Sequence, residues 1–169
     1  GIKEADICLA IRRTDYLKGK NEYYYGFDVL KYIDDCLNQI KGILQLPSLS
    51  RLTLRITSDD PAWCREELLP SLVEKFGFSS DNVIIEGTSA ENNFYQLYSC
   101  SRFLISPNST FVYWVGYLLR VSKPNVLVFV PNFNTVLLDD GKQIADTRDW
   151  KLIDVNRKQI ERKFKNYEN

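Results

Sequence analysis

Short apolar runs alternate along this chain with amphipathic stretches of helical period, and that alternation leaves few folds open. Residues 7–12 (ICLAIR), 83–86 (VIIE) and 126–130 (VLVFV) are brief and rich in β-branched side chains. Runs of this kind without polar alternation are typical of strands buried on both faces. Residues 51–57 (RLTLRIT) alternate and predict a strand that ends at Ser58-Asp59-Asp60; residues 103–106 predict another. Val29, Leu30, Ile33, Leu37, Ile40 and Leu44 recur at spacings of three and four, which predicts a helix over 27–44. Pro61 suits the first turn of a helix over 62–76, with Asp60 as its N-cap. Residues 92–101 and 111–120 predict two more helices. A loop with Asp139-Asp140-Gly141, a short segment at 150–153 and a charged helix over 157–167 complete the chain. Five βα-like units predict an α/β fold, a Rossmann-like parallel sheet flanked by helices.

The chain has 169 residues and 44% hydrophobic content, enough for one domain with a full core. We assign residues 1–153 to that domain and residues 154–169 to a charged C-terminal helix or tail. Lys and Arg number 22, as do Asp and Glu. This neutrality argues against a nucleic-acid binder that works by neutralising phosphates. The longest apolar run, residues 111–119, falls short of the about 20 residues that a membrane-crossing helix needs. No His occurs, which excludes His ligands, Ser/His or Cys/His pairs and a His general base within this chain. No Met occurs either, so Gly1 is not expected to be a natural start. Cys8, Cys36, Cys64 and Cys100 are widely spaced among apolar neighbours, and we expect buried free thiols.

In a parallel sheet of this kind, ligands sit beyond the carboxyl ends of the strands. Arg12-Arg13-Thr14-Asp15 follows the first strand. Two adjacent guanidinium groups can fork onto a phosphate while Asp15 holds one of them, although a solvated salt bridge fits too. Asp59 and Asp60 follow the next strand. They suit acid–base work, a metal, or the hydroxyls or base edge of a nucleotide, whereas Asp60 also suits a plain cap. Asn108-Ser109-Thr110 opens a helix whose free N–H groups and hydroxyls can bind an anion. The same triplet matches a glycosylation sequon, a short pattern common by chance. The convergence of these groups on one rim favours a site for a phosphorylated ligand, most simply a nucleotide or nucleotide-sugar.

The strings IRRTDYL at 11–17, SDDPAWC at 58–64 and LYSCSRFLISPNSTFVYWVGYL at 97–118 then narrow the reading. In order, spacing and wording they resemble the HxRRxDY, SDDxxWC and MSxCxxxIxxNSTFxWWxxxL patterns of the α-1,2-fucosyltransferases of glycosyltransferase family 11. Tyr23-Tyr24-Tyr25 and Asp149-Trp150 share the likeness. The resemblance implies the C-terminal, donor-binding half of a GT-B-type enzyme that uses GDP-fucose, inverts the anomeric centre and needs no metal or other cofactor. It implies that Arg12 meets the diphosphate and steadies the departing GDP, with Asp15 orienting it. Arg13, Asp59, Asp60, Asn108, Ser109 and Thr110 would complete the donor site. Family members are longer and carry a GGLGNQ-type opening, so an N-terminal acceptor-side domain is expected to be missing here. Three positions depart from the patterns: Ala10 replaces His, Phe94 replaces an Asp, and Tyr113-Trp114 replaces the Trp pair. In related fucosyltransferases the first two positions help read guanine. The alternative reading is therefore a glycosyltransferase-like binding module without guanine recognition, or a transferase for another nucleotide-sugar. The expected partners are a nucleotide-sugar donor and a glycan acceptor, with no nucleic acid and with peripheral membrane contact through the charged tail. A bacterial reading places the protein in the cytoplasm at the membrane; a eukaryotic one places it in the Golgi lumen.

Overall fold

The computed structural model describes residues 1–138, 141 and 149–165. Its order is β1 (Ala5–Ile11), α1 (Lys20–Tyr25), α2 (Val29–Leu44), β2 (Leu54–Ser58), α3 (Pro61–Trp63), α4 (Leu69–Phe76), β3 (Val83–Glu86), α5 (Ala90–Tyr98), β4 (Cys100–Ile105), α6 (Thr110–Ser122), β5 (Leu127–Pro131), β6 (Lys151–Ile153) and α7 (Lys158–Lys163). The strands form one sheet in the order β3-β2-β1-β4-β5-β6, and every neighbouring pair is parallel. That is a Rossmann-like α/β fold, with the topological switch point between β1 and β4. All strands point their carboxyl ends the same way, which gathers the loops after β1, β2 and β4 on one rim.

Side-chain alternation divides the core into two layers. Ile7, Leu9, Leu54, Ile56 and Phe129 pack beneath Ile33, Leu37 and Ile40 of α2 and Leu72 of α4. Cys8, Ala10, Leu104 and Val128 pack beneath Leu97 of α5 and Val112, Val115 and Leu119 of α6. Gly116 on α6 has no side chain for a packing reason: a Cβ there would stand 2.9 Å from the Trp150 ring. That close approach also sets Trp150 against Tyr113, with ring centroids 5.2 Å apart. All four cysteines are buried and free.

Several boundaries differ from the sequence reading, each for a local reason. Residues 150–153 contribute a sixth parallel strand at the sheet edge. β4 begins at Cys100, three residues before the expected start, because Ser99 already closes α5. No Gly or Pro marks that junction, so the sequence carries no boundary signal there. The helix expected over 62–76 is interrupted by a π-turn over Cys64–Leu68. Pro70 has no N–H for the helical ladder, and the Leu69 N–H reaches back to the Cys64 carbonyl instead. Leu30, expected on the apolar face of α2, is 41% exposed. The charged segment after residue 154 is docked on the body: Arg157 donates to the Gly26 and Tyr23 carbonyls, and Phe164 is buried beside Tyr23. Asp139, Asp140 and Tyr167 lie outside the described residues.

Candidate active site

The loop after β1 is shaped by the carboxylates that follow β2. Asp59 accepts the Arg13 N–H at 2.8 Å through one oxygen. Its other oxygen accepts the Thr14 N–H at 3.2 Å and the Thr14 hydroxyl at 2.7 Å. A carboxylate that satisfies successive loop donors fixes the loop's backbone. The sequence reading left Asp59 open for ligand; the structure commits both oxygens to holding the arginine loop. Asp60 does two things. It caps α3, accepting the Trp63 N–H at 3.1 Å, and it pairs with Arg13 Nε at 3.2 Å. Arg13 is further held over Trp63, its guanidinium carbon 3.9 Å from the ring centroid. Arg13 is therefore a clamp between two loops.

Arg12 is aimed differently. Asp15 accepts from Arg12 Nη2 at 2.5 Å, and Asp59 stands 3.7 Å from its Nε. The Arg12 side chain nevertheless stays 41% exposed. Burial works against its charge, but the Asp15 hydrogen bond and the neighbouring carboxylates more than offset this, and its pKa is raised. The result is a fixed, accessible cation at the carboxyl end of β1.

The loop after β4 is held from below. Tyr32 donates its buried hydroxyl to the Ser106 carbonyl at 2.6 Å, and Tyr16 donates to the Asn108 carbonyl at 2.9 Å. Tyr16 also stacks on Tyr25, and burial raises its pKa. Asn108 is 4% exposed, and its amide donates to the Tyr25 and Asn134 carbonyls. Its amide hydrogens are spent inside the fold, which removes them from donor contact and makes the sequon unavailable as a glycan acceptor. Ser109 is the N-cap residue of α6 but makes no side-chain capping bond, and Thr110 is exposed. Those two hydroxyls are the ones this loop presents at the rim.

Between α5, α6 and the ends of β1 and β2 lies a cleft of about 200 Å³. Ala10, Arg12, Thr57, Asp59, Asn93 and Phe111 line it. A smaller, mostly apolar cavity of about 60 Å³ lies on the opposite side of β1, under Arg12, Tyr16, Tyr25 and Pro107. Arg12 borders both. Phe94 does not line the cleft; it stacks on Tyr98, centroids 5.5 Å apart, against the α6-side core. Of the two departures Ala10 and Phe94, Ala10 alone lines the cleft. Sequence reasoning missed Thr57, Thr14 and Trp63. Thr57 had one visible signal, a polar residue within a short strand expected in the sheet.

No curated protein and no solved structure is significantly similar to the chain. The family model described as glycosyl transferase family 11 matches residues 2–153. With the parallel sheet, the arginine loop and the α6 start all inside the matched span, the chain belongs to glycosyl transferase family 11.

Proposed function

We propose that this protein transfers fucose from GDP-fucose to a hydroxyl of a glycan, forming an α-1,2 linkage with inversion and without a metal. The observation that carries the reading is Arg12. It is an exposed guanidinium held by Asp15 and Asp59 at the switch point of the sheet, on the same rim as Ser109 and Thr110, which open α6. The diphosphate takes Arg12 on one side and Ser109, Thr110 and the N–H groups of α6 on the other. Arg13, Asp59 and Asp60 hold the loop from which Arg12 projects, and Asn108 holds the loop that carries Ser109. The acceptor oxygen attacks the anomeric carbon as its bond to the diphosphate oxygen breaks. A base takes the acceptor's proton, and negative charge gathers on the departing GDP. Arg12 meets that charge already fixed in place, which is the condition under which an electrostatic contact lowers a barrier.

Titration of the protein with GDP-fucose, GDP-mannose and UDP-sugars tests the donor; the absence of binding to every one of them sinks the reading. In a transfer assay, Arg12→Ala is expected to lower kcat by about 10²–10³-fold, the usual cost of a lost charge-stabilising donor. The melting temperature should hardly move, since exposed ion pairs contribute little. Unchanged transfer would refute the diphosphate assignment. Ala10 at the cleft wall favours a second reading, another nucleotide-sugar as donor, and tightest binding of a UDP-sugar in the same titration would select it.

A further inference from the structure

We propose that the Thr57 hydroxyl reads the heterocyclic base of the donor. This rests on the donor-binding reading above and adds to it a residue that determines specificity. Thr57 is 4% exposed and lies next to last in β2, directly beside Ala10 in the β1–β2 ladder. Its Oγ1 is buried and has no hydrogen-bond partner among the described residues. Arg55, two residues earlier on the same face, is partly answered: its Nη1 donates to Ser99, while its Nε faces Glu86 across 3.8 Å without a hydrogen bond among the described residues. A buried hydroxyl with no partner is unfavourable, and most such groups in folded proteins have one. The group that Thr57 lacks is therefore expected to come from a ligand.

The surroundings indicate which part of the ligand that is. Thr57 lines the α5–α6 cleft, and Arg12 lines the same cleft. Ala10 offers only a methyl group beside Thr57, which leaves the space over the strand ends open. Asn93 adds a polar wall and Phe111 an apolar one. A ligand with its phosphates on Arg12 extends one of its two ends toward Thr57. The transferred sugar must keep its anomeric carbon open to the acceptor, whereas Thr57 is almost wholly enclosed. The base takes the enclosed end. A hydroxyl both donates and accepts, so it can bond to a ring nitrogen, a carbonyl or an amino group on a base edge.

Thr57→Val keeps the shape and deletes the hydroxyl, so its effects on the free and the liganded protein should have opposite signs. Without ligand, its melting temperature should rise by about 2–4 °C, because an unpaired buried hydroxyl is gone. Affinity for GDP should fall by about 5–10-fold, while affinity for inorganic pyrophosphate stays unchanged. Thr57→Ser should restore GDP binding. A lower melting temperature in Thr57→Val would show that the hydroxyl is satisfied within the protein, and would overturn the proposal. So would a loss of GDP affinity no larger than the loss for pyrophosphate. If the unaltered protein binds GDP and pyrophosphate equally, the base is not read here, yet the Arg12 assignment stands. If it binds neither, both the inference and the donor-binding reading fail.

Discussion

On the α2 side of the sheet, apolar side chains meet apolar side chains, and the few polar groups there are answered from within. Tyr32 reaches the Ser106 carbonyl, and the Ser58 hydroxyl accepts the Asp60 N–H. On the α5 side, Arg55, Thr57 and Gln96 are buried among smaller apolar groups. Arg55 Nε, Thr57 Oγ1, Glu86 Oε2 and Gln96 Oε1 have no hydrogen-bond partner there among the described residues. A parallel sheet needs both faces covered. The contrast sets a closed apolar face on the α2 side against a face with unanswered polar groups on the α5 side.

The largest effect expected from this contrast is on core truncation. Leu37 on α2 and Leu97 on α5 are each almost fully buried. Leu37→Ala leaves a hole in a closed apolar layer and should cost about 2–5 kcal/mol. Leu97 already borders the cleft, so the space left by Leu97→Ala joins an existing opening and water can enter it. Its cost should sit at the low end of that range. Urea denaturation of both variants measures the difference. Equal costs would remove the energetic distinction between the two faces.

A smaller effect on stability, with a larger one on function, is expected at the bridge between the faces. Asp59→Ala frees the Arg13 N–H and both Thr14 donors. These groups are exposed, water replaces the carboxylate, and stability should fall by only about 1 kcal/mol. Arg12 loses its fixed loop, however, and transfer should fall by about 10–100-fold, since a displaced charge cannot meet the leaving group. A melting curve and a rate measured on one preparation separate the two quantities. Unaltered transfer would show that Arg12 is positioned by Asp15 alone.

How far the sequence reaches follows the same division. The scaffold was legible because its signals are periodic: the spacing along α2, the apolar runs of β1 and β5, and the cap at Asp60 all appear in the structure. β6 was less legible because three residues carry too little pattern to mark a strand, and the π-turn because its cause, Pro70, lies beyond it in the chain. At the site, the residue types were legible and their partners were not. Asp59 looked available, since nothing in SDDP shows that a loop 45 residues away will occupy both its oxygens. Asn108 looked like a rim residue, since burial at a strand end depends on Tyr25 and Asn134 folding over it. Thr57 was overlooked because a polar residue in an alternating strand gains meaning only when its hydroxyl is seen to lack a partner.

A further expected effect, absent at neutral pH, is a pH dependence that belongs to the α2 side. Burial pushes the Cys36 thiol well above its ordinary value of 9.0, and burial likewise raises Tyr32 well above 10.0. Both side chains face the α2-side core. In the unfolded chain the thiol ionises near its ordinary value, whereas in the folded protein it stays neutral. The folded state then holds the extra proton, so stability is complete below about pH 9 and declines as pH rises beyond it. For one group the slope is at most about 1.4 kcal/mol per pH unit. Cys36→Ala should lower stability at neutral pH by removing a buried sulfur, yet flatten the decline above about pH 9. The two denaturation profiles should therefore converge as pH rises. Parallel profiles would mean that the thiol is not held neutral by its burial, and the closed character of the α2 side would lose its electrostatic support.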